Sequence, residues 1–331
     1  MSEHIYSTDI RINGQVYKII DAIEYITLAD SFVKNKIGSG NGEAKLYVGS
    51  HEDALSKFFD KLDTDNCFFC KKDFKAFLAD AEPEYRTPQQ EYARKAQMPE
   101  KFDALKNKLE TFNQEILRFS LYRVDVAPPR IYMNSRSTYY NYMRDVGLPN
   151  ISYLSVLKLL DKNDNTHYYF KIFIDYKPDI IGYQTMEEEQ QAEEITAKGI
   201  SEKKKQALIN ARVGQGEYRN KLLEECPFCP FTMVNDERLL IASHIKPWAK
   251  ADDKEKVDPK NGFMFTPTYD KLFDKGFITF NPDKTLVVSP WISPMNQKRL
   301  GIFNGKNIPM LPLDAAREKY LQYHREFIYK G

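Results

Sequence analysis

The chain has 331 residues, 48 Lys plus Arg against 47 Asp plus Glu, and a formal net charge of +1. A balance so near zero argues, on first reading, against a basic nucleic-acid binder, and no apolar run approaches the ~20 residues of a membrane span. Met1-Ser2-Glu3-His4-Ile5 lacks the basic start and apolar stretch of a secretion signal, and four cysteines are too few for a disulfide scaffold, so a cytoplasmic protein with no membrane association is expected.

In chain order, Ser7–Ile12 and Gln15–Ile20 flank Asn13-Gly14, the dipeptide of a type I′ hairpin, which needs positive φ at both centres. Residues 35–43 form a Gly-rich loop leading to a strand at Ala44–Val48, and His51–Leu62 reads as a helix with Leu55, Phe58, Phe59 and Leu62 on one face. Residues 88–122 are helical in composition, interrupted near Pro99, and Tyr153–Leu160 and Thr166–Tyr176 form a second hairpin. Met186–Lys205 holds Glu187, Glu188, Glu189, Glu193 and Glu194, then Lys203-Lys204-Lys205, with almost no large apolar residues. Such a run is a solvated helix or linker. It divides the chain into a domain at 1–185, a connector at 186–205 and a domain at 206–331. Within the last, Gln206–Glu225 has helical spacing broken at Gly214-Gln215-Gly216, Arg238–Ile245 and Gly262–Thr266 are strands, and Pro267 opens a helix that Gly276 ends. Phe277–Phe280 and Thr285–Ser289 form a hairpin, and Asp314–Tyr329 is a terminal amphipathic helix. The fold class is α+β throughout.

The strand–loop–strand–helix unit carries the chemistry. His244 ends the first strand, Asn261 precedes the second, and Asp270 and Asp274 stand four apart on the helix, where i and i+4 share a face. Two carboxylates within ~6 Å repel unless a cation lies between them, and hard oxygen ligands select Mg²⁺, Mn²⁺ or Ca²⁺. A neutral His facing such a metal can deprotonate water, and an Asn side chain can brace the loop that carries it. The parts suit in-line hydrolysis of a phosphodiester.

At these residues the sequence resembles the HNH, or ββα-metal, nuclease family. Asn261 follows His244 by seventeen positions, Asp270 follows by nine more and Asp274 by four. Colicin-type HNH nucleases have His, Asn, His and His at closely similar intervals, so the last two histidines look replaced by aspartates. Arg212–Arg219, Cys229–Thr232, Ser243–Trp248, Asn261-Gly262 and Leu272–Gly276 are similar to a bacterial HNH subfamily found in restriction-type endonucleases, the likeness covering roughly residues 206–290. The resemblance implies a C-terminal ββα-metal nuclease domain with His244 as general base, Asn261 as brace, and Mg²⁺ or Mn²⁺ on Asp270 and Asp274. Ser243 departs from it, because many HNH nucleases have a metal-binding Asp or His immediately before the catalytic His.

All four cysteines stand in C-x-x-C pairs, Cys67/Cys70 and Cys226/Cys229, so one shared structural Zn²⁺ is a second expectation, against buried free thiols. Arg212, Arg219 and Lys246 are candidate phosphate contacts beside the catalytic unit. Arg130, Arg136 and Arg144, interleaved with Tyr139, Tyr140 and Tyr142, are candidate DNA-reading residues, although packed tyrosines are the commoner explanation of such a run. Trp248, His4, His51, His167 and His324 read as structural or surface residues. Residues 1–185 would form a mixed α/β recognition domain, and double-strand cutting would call for a homodimer. The expectation is an Mg²⁺-dependent HNH endonuclease acting on double-stranded DNA as a restriction enzyme. The alternatives are a nuclease dependent on a methylated base, an inactive HNH-fold DNA-binding protein, and a module in which the N-terminal region senses a protein or small molecule. Residues 201–331 hold 22 Lys plus Arg against 16 Asp plus Glu, so the neutral total hides a basic C-terminal part.

Overall fold

The computed structural model describes residues 9–38, 45–49, 57–60, 62, 65–126, 130–175 and 218–331. The chain forms two compact units, one within Thr8–Tyr183 and one within Gln184–Gly331. The expected connector at 186–205 lies outside the described residues, as do His4, Arg212 and most of the helix expected at His51–Leu62.

The N-terminal unit is built on a six-stranded sheet in the order β1-β2-β8-β9-β4-β5, comprising β1 (Asp9–Ile12), β2 (Gln15–Thr27), β4 (Cys67–Cys70), β5 (Ile116–Phe119), β8 (Ser152–Leu160) and β9 (Thr166–Ile174). β4 runs parallel to β9, and the other neighbours are antiparallel. Asn13 and Gly14 both take positive φ, 47° and 80°, the I′ geometry that closes β1 onto β2. A second sheet orders β3 (Leu46–Gly49), β7 (Arg130–Asn134) and β6 (Tyr122–Val126). Helix α1 (Lys71–Arg86) buries Phe74, Phe77, Leu78, Ala81 and Tyr85, a stripe at helical spacing. Helix α2 (Met98–Glu110) does the same with Met98, Phe102, Leu105 and Leu109. Helix α3 (Thr138–Val146) starts at Ser137, whose Oγ accepts from the Tyr139 N–H.

One local expectation is corrected here, and the packed reading of two tyrosines is the one that holds. Residues 88–122 are not one helical stretch: α2 ends at Glu110, and Ile116–Phe119 is a strand, its Leu117 and Phe119 buried around an exposed Arg118. The period over 116–119 is two, which decides for a strand. Tyr140 and Tyr142 are buried packing residues, their hydroxyls donating to the carbonyls of Met133 and Leu105.

The C-terminal unit follows its expected order. A helix at 218–225, named α4, is followed by β10 (Ile241–His244), β11 (Gly262–Phe265), α5 (Pro267–Asp274), β12 (Ile278–Phe280), β13 (Leu286–Val288), α6 (Pro294–Leu300) and α7 (Ala315–Tyr323), which ends in a single wide turn at His324–Ile328. β10 and β11 pair antiparallel, with His244 opposite Gly262. Gly276 ends α5 with φ +70°, while the Gly276 N–H bonds the Phe273 carbonyl and the Phe277 N–H that of Leu272. This is a Schellman closure. A Cβ at Gly276 would lie 2.0 Å from the Ile328 carbonyl oxygen, so this turn and the C-terminal segment are packed against each other.

His324 locks that segment. Its ring stacks on Phe273 at 4.0 Å, Nε2 lies 3.0 Å from the Phe273 carbonyl oxygen and Nδ1 3.1 Å from the Thr279 hydroxyl. A carbonyl only accepts, so the proton sits on Nε2 and Nδ1 takes the Thr279 hydrogen. Burial pushes the pKa of His324 down to about 4. The unfolded chain, with an ordinary imidazole, therefore binds a proton first as pH falls. Stability present above pH ~6.5 should decline by about 3 kcal/mol as pH drops toward 4. Both tryptophans of the chain, Trp248 and Trp291, belong to this unit, so tryptophan-detected melting from pH 7 to pH 4 reads the decline in an Asp270→Asn background, where the opposing titration of Asp270 is removed.

Candidate active site

The site grows from Asn261. Its side chain is fully buried and grips the loop between β10 and β11 at both ends. Oδ1 accepts from the Lys246 N–H at 2.8 Å, and Nδ2 donates to the Lys246 carbonyl at 3.2 Å and the Glu255 carbonyl at 3.0 Å. The Lys246–Glu255 ion pair closes the same loop from the side-chain direction. Backbone bonds continue the clamp, Ile245 N–H to the Asn261 carbonyl and Asn261 N–H to that of Asp258. One amide thus meets three main-chain groups that would be costly to bury unpaired.

The next residue is glycine because a side chain would not fit. A Cβ at Gly262 would fall 1.9 Å from the Tyr218 hydroxyl oxygen, 2.9 Å from Leu222 and 3.0 Å from the Ser243 carbonyl. Tyr218, the first described residue of α4, uses that space: its hydroxyl donates to the Asn261 carbonyl at 3.0 Å, and its ring stacks on His244 at 4.1 Å and 12°. Arg317, on α7, is also buried, and donates to the Gly262 carbonyl while pairing with Glu225 and Asp314.

His244 is thereby held on one face by Tyr218 and at one edge by the loop. Its Nε2 is 3.0 Å from the Lys256 carbonyl oxygen, which can only accept, so Nε2 carries the proton and Nδ1 keeps its lone pair. Burial lowers the pKa of His244, partly countered by the bond to Lys256, so the ring is neutral at pH 7. A neutral imidazole with a fixed tautomer is what general-base catalysis needs.

Across the ββα unit the electrostatics run the other way. Burial first, then repulsion from Asp274, raises the pKa of Asp270 to about 6, while the hydrogen bond with Ser243 and the nearby Lys271 lower it. Asp270 and Asp274 are oxygen donors on one helix face, and the raised pKa of Asp270 means that its ionised form is disfavoured by its burial and by Asp274. This fits a divalent ion, which the two carboxylates could hold with remaining positions left to water or substrate oxygens. Among the described residues no group of three His, Cys, Asp or Glu side chains forms a metal cage. Ser243, which takes the place of a metal-binding Asp or His, bonds Asp270 and so supports it indirectly.

The remaining candidates separate clearly. Arg219 donates to the main-chain carbonyls of Leu240 at 2.9 Å and Glu237 at 2.7 Å, anchoring the entry to β10. Lys246 is paired with Glu255 and lies 5.3 Å from the centre of the Tyr323 ring. Arg144 donates to the Phe32 carbonyl and the Asn141 side chain. Arg136 is exposed, and the side chain of Arg130 lies outside the described residues. Trp248, expected to pack, is 40% exposed, with the Lys256 ammonium 4.5 Å from its ring centre.

The four cysteines of the expected zinc site lie in the two separate units. Cys67 and Cys70 are three apart on strand β4, where alternation turns them to opposite faces of the sheet. Cys226 and Cys229 are buried in the core of the C-terminal unit, and neither pair belongs to a metal-holding group of three. Burial raises the thiol pKa of Cys67, Cys70 and Cys226, which suits inert, protonated core residues.

Residues 229–281 match the family model HNH_2, HNH endonuclease, a span that contains His244, Asn261, Asp270 and Asp274. No curated protein matches the sequence. The C-terminal unit thus carries an HNH nuclease domain, the mark of a metal-dependent endonuclease that cuts nucleic acid.

Two outcomes follow from the electrostatics and the clamp. The folded-state pKa of Asp270 lies above its unfolded value, so ionising it costs stability as pH rises from ~4 through 6, by about 3 kcal/mol at most. Asp270→Asn should therefore melt above the wild type at pH 7.5 in EDTA, the gap closing near pH 4, and Mg²⁺ should raise the melting point of the wild type alone. Asn261→Ala should lower stability by about 2–4 kcal/mol in urea unfolding, since it leaves the Lys246 and Glu255 main-chain groups buried without partners.

Proposed function

We propose that the C-terminal unit hydrolyses phosphodiester bonds of double-stranded DNA, with His244 as the general base, and that the whole chain acts as a restriction endonuclease. The observation that carries this reading is the state of His244: neutral, its proton committed to the Lys256 carbonyl, its Nδ1 lone pair without a hydrogen-bond partner among the described residues. In the proposed reaction Nδ1 takes a proton from the attacking water, and Tyr218 and the loop keep the ring from turning. Asp270 and Asp274 would hold the divalent ion, which when bound supplies positive charge to the scissile phosphate and the leaving oxygen.

A single unit presents one base, so cutting both strands calls for two copies of the chain or two successive nicks. Phosphate contacts alone carry no sequence information, and the N-terminal unit is the natural source of selectivity. It would read either a sequence or a modified base.

The test is nicking of a sequenced supercoiled plasmid in Mg²⁺. His244→Ala should slow nicking by about 10²–10⁴-fold, and Asn261→Ala by about 10²-fold, since it only displaces the loop. Sequenced ends clustered at discrete sites support a restriction enzyme, whereas random ends limit the reading to a non-specific nuclease. Unchanged nicking by His244→Ala would falsify catalysis at this site.

A further inference from the structure

Within the N-terminal unit a cleft of about 730 Å³ opens between residues 34–38, which follow β2, and the turn that leads into α2. A volume of this size accommodates a small organic ligand. Lys34, Lys36, Arg94 and Lys101 line it, with Glu100 as the one lining carboxylate. The charges are poorly compensated. Lys36 Nζ donates to the Asp30 main-chain carbonyl and Lys101 Nζ to Asn35 Oδ1 at 2.6 Å, both neutral partners. Lys34 shares Asp145 with Lys108, and the exposed Arg94 has no side-chain partner among the described residues.

The cleft is also built rather than incidental. Asn35 is 4% exposed, and its amide nitrogen is engaged by Tyr85 Oη and the carbonyls of Asp145 and Gly147. This fixes Oδ1 toward Lys101 and holds that ammonium at the cleft. Burial lowers the Lys101 pKa, and although Asp145 opposes this, Lys34, Arg94 and Lys108 lower it further. Helix α2, thirteen residues long, starts at the cleft with no side-chain cap, adding the positive end of its dipole. One carboxylate ligand would neutralise only part of this excess, whereas a phosphate carries close to two negative charges. Tyr92 and Met98 give the cleft an apolar side.

We propose that this cleft binds the phosphate of a nucleotide, with Arg94 and Lys101 as its principal contacts and the apolar side against the nucleoside. The nucleotide is either free in solution or part of a DNA strand, and the same chemistry recognises both.

The test uses the full chain carrying His244→Ala, so that no substrate is consumed and the result does not depend on whether His244 cuts DNA. Isothermal titration at 50 mM salt is run with inorganic phosphate, deoxyadenosine monophosphate and a 20-base-pair duplex. Arg94→Glu and Lys101→Met are compared with the parent. Each should weaken binding about 10-fold or more, the loss expected for one charge-assisted hydrogen bond. Arg94→Glu touches no buried partner, so its melting point should match the parent. Monophosphate binding lost in both variants identifies a free nucleotide, and loss confined to the duplex identifies a strand phosphate. The absence of binding to any probe, or equal affinity of the parent and both variants for every probe, overturns the proposal.

Discussion

Everything at the catalytic end of the C-terminal unit hangs on the Asn261 side chain. The loop from residue 245 to 260 has little regular structure and an exposed Trp248, so its main-chain groups have no ladder to join. A single buried amide satisfies three of them and fixes the distance between residues 246 and 255. The Lys256 carbonyl, one residue beyond, then falls where it takes the His244 proton. Loop shape and tautomer are in this sense one constraint. Gly262 extends it, since the absence of a Cβ lets Tyr218 reach the Asn261 carbonyl and lie flat on the imidazole.

The two halves of the site are tuned in opposite directions by the same cause. Burial favours the neutral form of any titratable group. In the proposed reaction the neutral form of His244 is the working one, so burial and that role agree. The role proposed for Asp270 needs the ion, and burial together with Asp274 opposes it. The protein thus carries a local instability that a cation would relieve, the usual signature of a binding site held ready at the expense of the fold. His324 provides the contrast: more deeply buried, and with both ring nitrogens bonded internally, it is a structural residue.

Much of this was legible in the residues. Asn13-Gly14, Pro267 and Gly276 mark turns and helix ends because few other residues tolerate those backbone angles or lack the N–H in question. The spacing of His244, Asn261, Asp270 and Asp274 survives because a strand, a loop and a helix turn have fixed rises. Tyr218 and Arg317 escaped because their partners, Gly262 and the Asn261 carbonyl on one side and Glu225 on the other, are distant in sequence. Helix α1 shows a 74, 77, 78, 81, 85 stripe that could have been read. β4 is four consecutive buried residues, Cys-Phe-Phe-Cys, and a run without alternation hides its period. That same run places Cys67 and Cys70 on a strand, whereas a C-x-x-C spacing brings two thiols together most readily where the backbone turns between them.

The charge balance takes on a different meaning once positions are known. The C-terminal part is basic by composition, yet the cations singled out from spacing are occupied: Arg219 by main-chain carbonyls, Lys246 by Glu255. Lys260, Arg317 and Arg325 are likewise tied to Glu225, Asp314 and Glu318. Ion pairing does not remove net charge, so a polyanion still meets an attractive field, but it removes those side chains from point recognition. In the N-terminal unit, Lys36 and Lys101 at the cleft are held by neutral oxygens and are available to a ligand. A neutral composition can therefore conceal both a field that gathers DNA and a discrete site that binds phosphate, because neither depends on the total.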